Sequence, residues 1–204
     1  PGVALPSKTV APVYRADGSG TTFVFASYLS NVDETWKTKV GAATSVKWPA
    51  GQGAKGNDGV SATVQNTPGA IGYVEYAYAK QNKLTTTGLR NKDGQFVTAS
   101  MASFTAATTT ADWTHAKDYA VDLINQPGAT SWPIVSATFI LLPRDPQDPA
   151  RSANVMKFFD WAYKNGDKIA TDLDYIPLPG AVKDAVRATW INAVKGPDGK
   201  PVRQ

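Results

Sequence analysis

Arg15-Ala16-Asp17-Gly18-Ser19-Gly20-Thr21-Thr22 is the stretch on which the reading of this chain turns. Val13 and Tyr14 just before it have the apolar, β-favouring character of a strand end. FVFASYLSNV just after it places Phe23, Val24, Ala26, Tyr28 and Leu29 among small polar residues, as a helix does, and the Ser and Thr ahead of it are good N-cap residues. The local prediction is strand, glycine loop, helix. Gly18 and Gly20 allow a tight turn that brings backbone N–H groups up to a ligand. Ser19 and Thr21 add hydroxyl donors, and the helix offers free amides at its positive end. Arg15 contributes a planar charged fork suited to a tetrahedral oxyanion, and Asp17 is close enough to clamp it. The group forms a small, donor-lined anion cradle. The same residues also fit a plain N-capped helix after a glycine turn. They match neither a Walker A loop nor a dinucleotide-binding fingerprint.

Working outward, residues 1–12 are punctuated by proline and expected to be extended. Residues 33–40 continue the first helix or form a short second one. Gly51, Gly53, Gly56 and Gly59 predict a flexible or tightly turned loop, followed by a helix over 60–66 capped by Asn57 or Asp58. Pro68-Gly69 is a turn, and 71–73 a strand running into a short helix. Lys92-Asp93-Gly94 has the composition of a hairpin turn. Residues 100–107 are expected to be helical, and 118–124 a short helix or strand. The strongest strand expectation falls on IVSATFILL (134–142), apolar and β-branched enough for a buried strand. After the Pro-rich 143–149 comes an amphipathic helix over 151–166, with Val155, Met156, Phe159, Trp161 and Ala162 on one side and Gly166 as its stop. A last helix over 181–194 repeats Val182, Val186 and Trp190 at four-residue spacing. Alternation of strands and helices gives an α/β or α+β class. A compositional boundary fits either 143–149 or the neighbourhood of residue 133.

Composition narrows the chemistry. The chain has 204 residues, 42% hydrophobic and 19% charged, which is unlike a disordered segment. At roughly 150 residues per domain, this length corresponds to one large domain or one and a half ordinary ones. With no Cys and a single His, disulfides, thiolate metal sites, Cys nucleophiles and multi-His metal sites are excluded. No apolar run is long enough for a membrane-spanning helix. The net charge of +4 is scattered, giving a mildly basic surface or a bias toward an anionic ligand, and no basic stripe for nucleic acid. His115 lies in DWTHAKDY without a nucleophile elbow elsewhere and is expected at the surface. Asp172 and Asp174 lack the spacing of a calcium loop and are expected to cap a helix. Trp161, Tyr163 and Trp190 are expected in the core. The chain opens at Pro1 without the pattern of a signal peptide, so it is expected to begin after a cut.

Four blocks together carry a resemblance: RADGSGTTFVFASYL (15–29), VKWPAGQGAKGNDGVSATVQNTPGAIGYVEYAYAKQN (46–82), WPIVSATFILLPRD (132–145) and FFDWAYKNGDKIATDLDYIPLPGAVKDAVRATW (158–190). In this order, through nearly the whole chain, they resemble the phosphate-binding protein of the bacterial high-affinity phosphate ABC importer. The resemblance implies a periplasmic-binding-protein type II fold, in which two α/β lobes close over one phosphate ion. Here it would be an incomplete form: residues 1–133 as the middle lobe with the glycine loop, and 134–204 as the C-terminal segment of the other lobe. It implies that Arg15 pairs with phosphate, that Ser19, Gly20 (through its amide) and Thr21 donate to it, and that Asp17 orients the arginine. GNDG and PGAIGYVEY match family landmarks expected to be structural. The implied partners are inorganic phosphate, the membrane subunits of an ABC permease and the chain's own missing N-terminal part, in the periplasm. That missing part would hold further donors, and an Asp whose carboxylate accepts the proton of a protonated phosphate. Binding by the present chain alone is therefore expected to be weak. Neither metal nor cofactor is expected. One His and no carboxylate cluster near the loop favour a binding protein over a phosphate-ester-handling enzyme, with a surface or adhesive role as the remaining alternative.

Overall fold

The computed structural model describes residue 4, residues 6–113 and residues 115–202. The extended start expected at residues 1–3 and 5, and the end of the tail at 203–204, lie outside these residues. The β-favouring run before the glycine loop is strand β1, Ala11–Arg15. It forms the centre of a three-stranded parallel sheet, flanked by β2 (Gln52–Ala54) and β3 (Ala70–Gly72). The register pairs Arg15 with Ala54 and Val13 with both Gln52 and Gly72. Parallel strands need crossover connections. Helix α1 (Gly20–Val32) with the short α2 (Glu34–Lys39) supplies one, and α3 (Gly56–Asn66) the other. Asp33 separates α1 from α2 by closing the first helix and capping the second, its carboxylate accepting from the Trp36 amide at 2.6 Å. Asp33 thereby meets the need of a helix start for a side-chain acceptor.

The α3 helix packs against β1 and β3, where Val13 and Val60 are buried. Tyr14, Phe25, Trp48 and Tyr73 form a second packing group, an aromatic stack in which Trp48 lies 5.1 Å from Tyr14 and 5.6 Å from Tyr73. Phe25 of α1 sits 4.5 Å from Tyr73 in near-parallel geometry. Offset stacks of this kind are favourable beyond their buried area, and they fix Tyr73 relative to α1.

The chain continues through α4 (Tyr76–Gln81), a hairpin of β4 (Leu89–Arg90) and β5 (Phe96–Val97), and α5 (Met101–Thr109). Buried Asn91 pins the hairpin, its amide lying 2.9 Å from the Gly128 carbonyl and 3.1 Å from that of Ala129. The last part consists of α6 (Pro149–Asn165), α7 (Asp167–Asp172) and α8 (Gly180–Ala193). Asp148 caps α6 and Pro149 opens it, a position where the missing N–H costs nothing. Met156, Trp190 and Val194 form one apolar cluster; Trp113, Leu123 and Val182 form another that joins α8 to residues 111–123. Buried Asp160 is matched by Arg187 at 2.7 Å and Lys164 at 2.8 Å. Met156 is fully buried, so Met156→Ala is expected to cost about 2–5 kcal/mol, measured by urea unfolding.

Several expectations are corrected. Residues 134–142 pair with no described strand; Phe139, Ile140 and Leu141 are exposed, Leu141 at 91%. β-Branching favours an extended backbone, but a strand requires a neighbour to complete its ladder. The supposed loop at 51–59 contains β2, and the helix after it starts at Gly56, with Lys55 rather than Asn57 or Asp58 at its cap. Gly51 has φ +104°, and a Cβ there would lie 2.4 Å from the Pro12 carbonyl oxygen. This glycine is required by close strand approach rather than by flexibility. Residues 117–119 make only a single 3-10 turn within the expected 118–124 element. The inner face of α6 is Ser152, Met156 and Asp160, leaving Trp161 53% exposed. Asp174 caps nothing: it has φ +66° and pairs with Lys80 at 2.6 Å. Asp172 pairs with Lys168 at 2.6 Å.

Candidate functional site

The C-terminal end of β1 delivers Arg15 to the point where α1 begins. Ends of parallel strands that meet helix N-termini are where open α/β sheets bind ligands. Ser19 is buried and caps α1: its hydroxyl oxygen accepts from the Thr22 amide at 3.1 Å, leaving its own proton to donate. The Ser19 amide is already spent on the Thr44 carbonyl. The amides of Gly20 and Thr21 have no acceptor among the described residues, the ordinary condition of a first helical turn. Neither Gly18 nor Gly20 has positive φ, and a Cβ on either would meet nothing within 4 Å. The turn itself therefore does not demand glycine, and the space beside both residues is open.

Arg15 is held in two directions. Asp17 takes it as a fork, with Nε to Oδ1 at 2.9 Å and Nη2 to Oδ2 at 2.6 Å. Asn57 Oδ1 lies 3.4 Å from Nη1. These contacts use three of the five N–H donors of the guanidinium and leave two. Arg15's side chain is only 12% exposed, so its charge acts with limited water screening. The bond to Asp17 raises the arginine's pKa above its ordinary value, against the opposing effect of burial. Asp17 also accepts from the Gly56 amide at 3.1 Å. The bond to Arg15 first, and that amide second, hold its carboxyl well below the usual range.

That depression has a sign that can be measured. Asp17's folded pKa lies below its unfolded value, so its stabilising effect is present above the ordinary carboxylate range and fades as pH falls through the folded pKa. Asp17→Asn is expected to lower Tm at pH 7, with the difference from wild type narrowing steadily below about pH 4. Melting curves at pH 7 and pH 3 check this; an equal difference at both would contradict it.

Three further residues complete the site. The Tyr73 hydroxyl accepts from the Arg15 backbone N–H at 3.1 Å and lies 2.6 Å from Thr22 Oγ1, so the aromatic stack supports the cradle from behind. Asn57 is buried, and its Nδ2 donates to Glu75 Oε1 at 3.1 Å. The Thr21 hydroxyl points at the same Glu75 oxygen at 3.5 Å. GNDG and PGAIGYVEY are expected to be structural, and Asn57, Tyr73 and Glu75 of those blocks contact Arg15, Thr22 and Thr21. A usable signal was present: Tyr73 and Glu75 follow the end of a parallel strand, where ligand-facing groups gather. His115 is exposed and pairs with Asp112 at 2.8 Å, away from this constellation. Among the described residues no group of His, Cys, Asp and Glu could hold a metal. No helix there is long and apolar enough to cross a membrane.

At the junction of β1 and α1, two guanidinium donors of Arg15, the Ser19 hydroxyl proton and the amides of Gly20 and Thr21 are left unused by the described residues. The phosphate-binding protein PstS of Pasteurella multocida is 51% identical over 203 residues, covering 100% of this chain and 59% of that protein. Those of Xylella fastidiosa and Haemophilus influenzae are 47% identical, each covering 96% of this chain and 54% and 58% of theirs. The chain thus spans little more than half the length of these relatives. Two solved structures share the fold. A human phosphate-binding apolipoprotein superposes with a TM-score of 0.69 at 18% identity, over 97% of this chain and 65% of its own. A periplasmic phosphate-binding protein solved with phosphate superposes with a TM-score of 0.65 at 21% identity, over 90% of this chain and 58% of its own. Residues 3–165 match the PBP superfamily domain, a span running from β1 through α6. With most of its length inside that match, the chain belongs to the PBP superfamily.

Proposed function

We propose that this chain forms the larger part of a receptor for inorganic phosphate, a binding module rather than an enzyme. The observation that carries this reading is the junction of β1 and α1. There a clamped, largely buried arginine with two unused donors stands beside the Ser19 hydroxyl and the open amides of Gly20 and Thr21. In this reading Arg15 supplies the charge, Ser19, Gly20 and Thr21 supply neutral donors, and Asp17 fixes the guanidinium plane. Charge-assisted, bidentate contacts of this type give both strength and geometric selectivity. The relatives at 47–51% identity are named phosphate-binding proteins, which supports the choice of anion.

The same likeness supports the wider setting: delivery of phosphate to the membrane subunits of an ABC permease, from the periplasm. Residues 1–133 would be the lobe that carries the cradle, and 134–204 the C-terminal part of the opposing lobe. The exposed apolar groups of that part, Ile140, Leu141, Phe158, Trp161 and Leu173, would be covered by the remainder of the lobe. A site built from one lobe alone holds only part of a ligand shell, so phosphate binding by the 204-residue chain is expected to be weak.

Titration calorimetry tests the reading. The 204-residue chain is expected to bind inorganic phosphate no tighter than the high micromolar range, and the full-length protein far more tightly. Submicromolar affinity in the 204-residue chain would overturn the incomplete-site reading. Turnover of a phosphate ester that disappears in Arg15→Ala would replace the receptor by an enzyme.

A further inference from the structure

Glu75 stands exposed at the start of α4, yet both of its carboxylate oxygens are engaged. Oε1 accepts from Asn57 Nδ2 at 3.1 Å and faces the Thr21 hydroxyl at 3.5 Å. Oε2 accepts from the hydroxyl of Tyr175, 100 residues further along the chain, at 3.3 Å. A glutamate on an open surface samples several rotamers, and would hold Asn57 and Thr21 only part of the time. Tyr175 is half exposed, but its backbone is anchored. Its amide donates to the Ala170 carbonyl at 2.9 Å. Its neighbour Asp174, with a largely covered carboxylate, takes Lys80 of α4 at 2.6 Å. Residues 174–175 therefore clasp α4 near both ends, through Glu75 and Lys80.

We propose that Tyr175 is a positioning residue for the anion site, acting through Glu75 on Asn57 and Thr21. Asn57 in turn steadies the Nη1 edge of Arg15. The inference rests on the reading of this site as a phosphate cradle. Its physical content is preorganisation: ordering completed during folding is not paid again on binding, and its loss appears mainly as faster release of the ligand.

The test is stopped-flow measurement of phosphate binding and release on the full-length protein, with melting curves beside it. Tyr175→Phe deletes one oxygen and keeps the ring. It is expected to release phosphate about three- to tenfold faster, with Tm unchanged. Glu75→Ala is expected to lose at least as much, and the double variant no more than Glu75→Ala alone, because both act through one bond. Release at the wild-type rate in Tyr175→Phe, multiplying effects in the double variant, or a faster release matched by a lowered Tm would each overturn the proposal. Arg15→Ala in the same series separates the two ideas. If it abolishes binding while Tyr175→Phe changes nothing, only the positioning role fails. If it too binds normally, the phosphate reading fails.

Discussion

Replacing Arg15 by alanine is expected to weaken phosphate binding to the full-length protein by about 2–5 kcal/mol, or roughly 30-fold to several thousand-fold. The magnitude follows from what is left behind. The substitution deletes the charge partner of a multiply charged anion in a partly desolvated site, while Asp17 keeps its own negative charge with backbone amides alone, that of Gly56 and its own, to meet it. The site then turns from attractive to repulsive toward anions, which costs more than the lost hydrogen bonds alone. Arg15→Lys is expected to recover only part of the loss. Its ammonium is a point charge that cannot hold Asp17 through two parallel bonds while presenting further donors in a fixed plane. Calorimetric titration with phosphate reads both variants, and unchanged affinity in Arg15→Ala would refute the assignment.

Gly51→Ala is expected to be the most damaging single methyl in the sheet, lowering stability by about 3–5 kcal/mol. Two costs add. The residue has φ +104°, which side-chain-bearing residues adopt only under strain, and the new Cβ would approach the Pro12 carbonyl oxygen to 2.4 Å and Pro12 Cβ to 2.9 Å. Neither atom is the far end of a flexible side chain, so β1 and β2 must part. The register that sets Arg15 beside Ala54 would go with them, and with it the Gly56 and Asn57 contacts to the cradle. A drop in Tm of roughly 10 °C, together with weakened phosphate binding, is the expected result. A melting curve that overlays wild type would show that the strands tolerate the separation.

How much of this was legible in the sequence depends on the range of each interaction. Strand, turn and helix from Ala11 to Val32 lie in one uninterrupted stretch. The clamp of Arg15 by Asp17 spans two residues, and Ser19 caps its own helix, so composition and spacing sufficed. Asn57, Tyr73 and Glu75 reach the same point only because β2 and β3 pair with β1 in a particular parallel register. Register is a long-range property that no local pattern encodes. The short β2 was hidden for a related reason. The glycines at its start have the composition of a loop, but a Cβ on Gly51 would meet Pro12 and one on Gly53 would meet Ala16 and Tyr14, neighbours invisible until the strands are side by side. Residues 134–142 show the opposite error. Their propensity is extended, but a strand is a relationship between two segments, and one segment's composition cannot supply the second.

Residues 134–142 also shape how the chain behaves when concentrated. Nine residues rich in Ile, Val, Thr, Phe and Leu carry no charge and no internal proline. With no described strand beside them, they have the makings of a template on which another copy could lay down a matching segment. Prolines stand at both borders, Pro133 and Pro143, with Arg144 just beyond. These are gatekeepers of the kind that limit how far such intermolecular pairing can spread. Val135 and Ala137 already pack on the Trp113 cluster and Leu142 on the Met156 cluster, so the part open to such pairing is Phe139, Ile140 and Leu141. A single lysine in place of Leu141, 91% exposed, would be the least invasive way to oppose such pairing.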